Sequence, residues 1–159
     1  MKRFFLLIVA VCMYLGVSAQ MVPTTWTAYG LTFDAPKGIL VEEDTEDTFL
    51  LNNARFYITL HSLESEDMTK DAMKEVLKGL ADEDAIEGQS EIAEWDLKQF
   101  HVVYLKGKAE EDPCYYACLM TKEAGSVFYV SILYNGVDSK TVERMLKSFK
   151  MEESVELVK

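Results

Sequence analysis

Two cysteines and two histidines are the side chains in this chain whose types most readily invite chemistry. Cys114 and Cys118 lie in "DPCYYACLM", residues 112–120, while His61 and His101 each sit inside an alternating run. Together they could ligate zinc, close a disulfide, cycle as a redox pair or form a thiol–imidazole nucleophile. Spacing weighs against each use. On an extended strand Cys114 and Cys118 share a face but stand roughly 13 Å apart. A disulfide needs Cα atoms about 4.4–6.8 Å apart, so only a bulge or turn at residues 116–117 would permit one. The C-x-x-x-C spacing is not the redox C-x-x-C, and no helix N-terminus is at hand to lower a thiol pKa. For zinc, the four candidates occur singly, without the close ligand pairs of structural sites. Two small, buried strand residues are the expectation for the cysteines, with no metal and no cofactor.

The acids offer no better constellation. "DTEDTF" and "DEDAIEG" lack the ligand spacing of a calcium loop. Carboxylate pairs could serve a glycosidase, but with 27 acidic residues sequence proximity does not say which would meet across a cleft. There is no G-x-S-x-G, no H-E-x-x-H and no phosphate-cradling glycine loop. His61 alternates with Tyr57 and Thr59, and His101 is flanked by Phe100 and Val102, which suits partly buried sheet residues better than general bases. The expectation is therefore not an enzyme.

The first residues, "MKRFFLLIVAVCMYLGVSAQ", read as residues 1–19 of a secretory signal peptide. Lys2 and Arg3 form a positive start, Phe4 to Leu15 an apolar run, and Val17 and Ala19 suit cleavage between Ala19 and Gln20. The apolar run is shorter than the ~20 residues a bilayer span requires, and Cys12 lies mid-run, where it is a poor lipid acceptor. Residues 20–159 are then expected to form a single domain with no membrane anchor, periplasmic or secreted. Removing that leader leaves 14 basic against 27 acidic residues, a formal charge of −13. So acidic a surface repels phosphate backbones, which argues against nucleic-acid binding.

The elements that must position these residues follow from periodicity. "TWTAYG", "LTFDAP", "ILVEE", "TFLLNN" and "ARFYITLHSL" read as five strands, with Phe56, Ile58 and Leu60 opposite Tyr57, Thr59 and His61. From Thr69 to Ala81, Ala72, Met73, Val76, Leu77, Leu80 and Ala81 draw a helical stripe. Thr69 is its expected N-cap, and Gly79 costs it about 1 kcal/mol relative to alanine. "SEIAEW", "KQFHVVYLKGK", "PCYYACLMTK" and "SVFYVSILY" are four more strands, the last apolar on both faces and hence central and covered on both sides. Val142, Met145, Leu146 and Phe149 stripe a closing helix capped by Asp138 or Ser139. Runs of strands separated by helices predict an α+β fold: a mostly antiparallel β-sheet of about seven to nine strands, with two main helices packed on it.

This order resembles the PsbP/DcrB-like superfamily. The features that carry the resemblance are "GLTFDAPKG", the mid-chain helix, the paired strands of "YYACLMTKEAGSVFYVSILY" and the closing "LKSFK", across residues 24–150. It implies a non-catalytic binding or accessory protein of the cell envelope and transfers no catalytic residue. Aromatic side chains crowd the strands; most belong to the core, but Tyr57, Tyr104 and Tyr116 on a less covered face, with His61, could line a groove for a partner. The expected partner is an envelope protein. Alternatives are a small apolar ligand held between sheet and helices, and, more distantly, a thiol enzyme pairing Cys114 or Cys118 with His61 or His101.

Overall fold

Residues Val127–Tyr134, apolar on both faces, occupy the middle of a seven-stranded antiparallel sheet in the computed structural model, which describes residues 20–153. The leader assigned to residues 1–19 lies outside the described residues, as does the end of the tail, 154–159.

The described chain runs β1 (Met21–Trp26), β2 (Leu31–Pro36), β3 (Leu40–Asp44), β4 (Thr48–Asn52), β5 (Phe56–Leu63), α1 (Lys70–Glu83), β6 (Ala93–Asp96), β7 (Phe100–Ala109), β8 (Asp112–Thr121), β9 (Val127–Tyr134), α2 (Ser139–Lys147) and β10 (Lys150–Met151). The large sheet has the order β3-β4-β5-β9-β8-β7-β6, and a small one has β1-β2-β10. Both are antiparallel, and with two helices the fold is α+β, as the alternation of strands and stripes predicts.

The faces of the large sheet have different fates. One packs against the small sheet and α2: Phe49, Leu51, Ile58, Leu60, Ile132, Tyr115 and Leu119 meet Trp26, Leu31, Phe33, Met145, Leu146 and Phe149 in the larger core. The other packs against α1, where Met73, Leu77 and Ala81 meet Val103, Leu105, Cys114 and Cys118. Burial of these two aliphatic and aromatic layers is the main driving force for the fold. Being covered on both sides is what requires β9 to be apolar on both.

Local chemistry sets the ends of the helices. The Thr69 hydroxyl accepts the Ala72 N–H at 3.1 Å, and Asp71 sits in the first turn of α1. The Asp138 carboxylate accepts the Lys140 N–H at 2.9 Å and starts α2. α1 lies over β7 and β8. The second face of β3, β4 and β5 extends beyond it.

A corner of the large sheet as candidate functional site

Strand alternation puts Tyr57, Thr59 and His61 of β5 on the face opposite buried Phe56, Ile58 and Leu60. Register then carries that face across the sheet. Leu40, Asn52, Tyr57 and Leu133 stand in one transverse row; Glu43, Leu50, Thr59, Ser131 and Tyr116 in the next; Thr48, His61, Tyr129 and Cys118 in a third. Among the described residues the large apolar side chains left exposed are Leu40 at 59%, Tyr57 at 47% and Val41 at 43%. All three are at this end of the sheet. Val41 pairs with Leu51 and so sits on the opposite face of the edge strand, just beyond the cover of the small sheet.

Of the four residues singled out from the sequence, Tyr57 and His61 share this open face. The His61 ring stacks on Tyr129, with centroids 6.2 Å apart, and its Nδ1 lies 3.2 Å from the Asp47 carbonyl. The Thr48 hydroxyl lies 3.3 Å from the same nitrogen. Tyr116 is on the same face but buried, its hydroxyl donating to Asp84 at 2.7 Å. Burial, and then the hydrogen bond to the Asp84 carboxylate, pushes its phenol well above the ordinary tyrosine range. Tyr129 beside it is also buried, and its hydroxyl has no hydrogen-bond partner among the described residues. Tyr104 lies on the other face, stacked on Trp95 at 4.0 Å and near Tyr115, next to α2. The structure thus gathers Tyr57, His61 and Tyr116 on one side and separates Tyr104 from them.

The thiols are poorly placed for nucleophilic work. Cys114 and Cys118 are free and buried. Desolvation pushes Cys114 up to about 11 and Cys118 up to about 12, which disfavours the thiolate. His61 and Cys118 are separated by the whole of β9, roughly 10 Å at two strand spacings. His101 is engaged with Asp96, Nδ1 to Oδ1 at 2.9 Å. Among the described residues no three of His, Cys, Asp and Glu converge in a way that could hold a metal ion.

The exposed edge carrying Leu40 and Val41 was not singled out from the sequence. "ILVEE" reads as an ordinary strand, and the available signal was three apolar residues running straight into acids. The hairpin from β3 to β4 is held from outside by the β1–β2 turn. Trp26 Nε1–H donates to the Thr45 carbonyl, the Tyr29 hydroxyl to the Glu46 carbonyl at 2.7 Å, and the Thr27 hydroxyl to Asp44 at 3.0 Å.

Comparison with known proteins gives this geometry a family. A model of the Dihydro-orotase-like family matches residues 10–138. The chain belongs to the Dihydro-orotase-like family. That membership corrects the PsbP/DcrB-like resemblance, which rested on an order of strands and helices that many α+β domains share. No curated protein matches the chain.

Among solved structures, the Saccharomyces cerevisiae Ran-binding protein Mog1p is similar at 12% identity and a TM-score of 0.60, with 84% of this chain and 96% of that one covered. A point mutant of Mog1 is similar at 11% identity and 0.58, covering 85% and 97%. A Bacteroides thetaiotaomicron structure is similar at 14% identity and 0.52, where 87% of this chain spans 50% of that one. At such identities the likeness is one of fold. The periplasmic or secreted location expected from the sequence is corrected on the family match, which begins at residue 10, inside the stretch read as a leader; two of the solved structures that share the fold are of a Ran-binding protein.

Proposed function

We propose that residues 20–159 act as a single non-catalytic binding domain, and that its partner is a protein docked on the corner of the large sheet formed by β3, β4 and β5. The observation that carries this reading is the clustering of Leu40, Val41 and Tyr57 at one end of one sheet, while nearly every other large apolar side chain of the described chain is covered. Exposed apolar surface gathered in one place is a mark of interaction sites, and tyrosine suits a contact that is apolar at its body and wet at its tip. The same fold in a Ran-binding protein supports a protein partner in preference to a small molecule. So does the filling of both interiors by side chains, with the ≈ 800 Å³ cleft lined by Lys98, Gln99, Lys122, Glu123 and Glu152 lying at the surface, outside both cores. The envelope protein expected from the sequence loses its basis with the corrected location.

A photo-crosslinker replacing Tyr57, compared with one replacing Lys98, tests the reading in whole-cell extract. Discrete adducts from position 57 that are absent from position 98 are the expected result. Identical patterns from the two positions would overturn it.

A further inference from the structure

The two edges of the large sheet differ in how their charges are answered. At β6, Glu94 is held by Lys74 at 2.5 Å, and Asp96 by Lys122 at 3.0 Å and by His101. At β3 and its turn, Glu42, Glu43, Asp44, Glu46 and Asp47 form no ion pair among the described residues. Among the described residues the backbone of β3 pairs with β4 alone, and every residue of β3 is exposed. Sheet edges are ordinarily blunted by lysine, proline, a bulge or a covering element, because unpaired N–H and C=O groups invite another strand. β3 has a register shift between Val41 and Glu43, which spoils flat pairing, but it has no lysine, and among the described residues no strand or helix covers its outer edge. Nor are its carboxylates on a loose loop, since Trp26, Thr27 and Tyr29 fix the turn from behind.

We propose that β3 is a receptor edge for an extended basic segment of a protein partner, which adds to the sheet as an eighth strand. This rests on the binding reading above and names the partner's chemistry. Strand addition would satisfy the open backbone groups over Leu40–Asp44, a length of roughly 16 Å. The apolar half of the incoming strand lies against Leu40 and Val41, and its lysines or arginines face Glu42, Glu43 and Asp44. Charge also selects against the alternative occupant. Two copies of this chain joined through β3 would bring five unpaired carboxylates on each side together, and like charges on directly opposed strands repel. An edge that is open but acidic rejects itself and admits a cation-bearing strand.

The test uses the full chain and two capped peptides, KKTVIV and its charge-inverted counterpart EETVIV, followed through backbone amide signals. KKTVIV is expected to shift Leu40–Asp44 saturably and to slow their hydrogen exchange. Affinity should fall several-fold between about 20 mM and 300 mM salt. EETVIV should leave these signals unmoved. In the doubly substituted Glu42→Lys, Glu43→Lys chain, KKTVIV is expected to bind about tenfold more weakly, and EETVIV to gain what KKTVIV loses. Both positions are exposed, so an unchanged melting temperature establishes that the variant is folded.

Equal binding of both peptides, or binding indifferent to the charge reversal, overturns the proposal. So does a dimer in sedimentation that the reversal strengthens or leaves intact. If KKTVIV moves Tyr57, His61 and Leu133 but not Leu40–Asp44, the receptor edge is wrong while the binding face stands. If neither peptide moves β3 while position 57 still yields specific adducts, the same conclusion holds.

Discussion

Gly107 and Gly79 invite the same substitution and should answer with opposite signs. Gly107 lies in β7, opposite Cys114, where the chain leaving α1 runs antiparallel alongside β7. That segment is anchored: the Ile86 N–H bonds to the Ala81 carbonyl at 2.9 Å, and Glu87 and Lys108 exchange two backbone bonds of 2.9 Å each. A methyl group on Gly107 would meet the Glu87 carbonyl oxygen at 2.8 Å and the Ile86 side chain closer still. The carbonyl is backbone held by that pair of bonds, so it cannot yield as a flexible side chain would. Forcing atoms into a packed site costs about 1–3 kcal/mol. Spoiling one or both Glu87–Lys108 bonds adds about 1 kcal/mol each. Against this, alanine restricts the unfolded chain and recovers about 0.4–1 kcal/mol.

The net expectation for Gly107→Ala is a loss of about 2–3 kcal/mol. Gly79 sits within α1 with nothing within 4 Å of where its methyl group would be. Gly79→Ala should therefore add up to about 1 kcal/mol from helix propensity alone. Urea denaturation followed by circular dichroism separates the two. At a slope of about 1–3 kcal/mol per molar, the midpoint should fall by about 1 M for Gly107→Ala and rise by a few tenths for Gly79→Ala. A midpoint for Gly107→Ala at or above that of the parent chain would refute the close approach, and with it the placement of the α1 exit against β7.

Two further outcomes follow from the electrostatics. Asp96 is held below the ordinary carboxylate range, first by the hydrogen bond from Lys122 and then by the charges of Lys122 and His101. A carboxyl depressed in the folded state contributes stability that is present above its unfolded pKa and lost as pH falls through the folded one. Lys122→Met should therefore raise the Asp96 titration toward 3.8, read from its carboxyl carbon signal, and shrink the acid-side loss of stability; an unmoved titration would show that Lys122 does not hold it. Cys114 and Cys118, pushed up to about 11 and about 12 by burial, should stay unmodified by a thiol reagent at about pH 8 until the chain is unfolded, with peptide mapping as the readout. Rapid modification of either in the folded protein would contradict the packing under α1.

Tyr57 and Tyr104 show where sequence stops predicting surface. Each alternates with apolar neighbours on a strand, so each has the same local signal for a half-covered face. In the fold Tyr57 stands on the open face, and Tyr104 leans on Trp95 beside α2. Period two says that neighbouring side chains point to opposite sides; it does not say which side a helix will cover. That depends on where α1 lands, and α1 covers β7 and β8 rather than β4 and β5. Elements whose signals are local were legible for the same reason: the stripe of α1, its Thr69 cap, and β9 with apolar residues on both faces. Partners far apart in the chain were not. β10 joins β2 by pairing Lys150 with Thr32, so the first strands form a second sheet in place of extending the first. That second sheet covers Leu51 and Ile58 and ends short of Val41. The exposed corner is thus made by two covers that both stop short of Leu40 and Val41. It belongs to no single stretch of sequence, which is why "ILVEE" could be read correctly as a strand and still not be recognised as an edge.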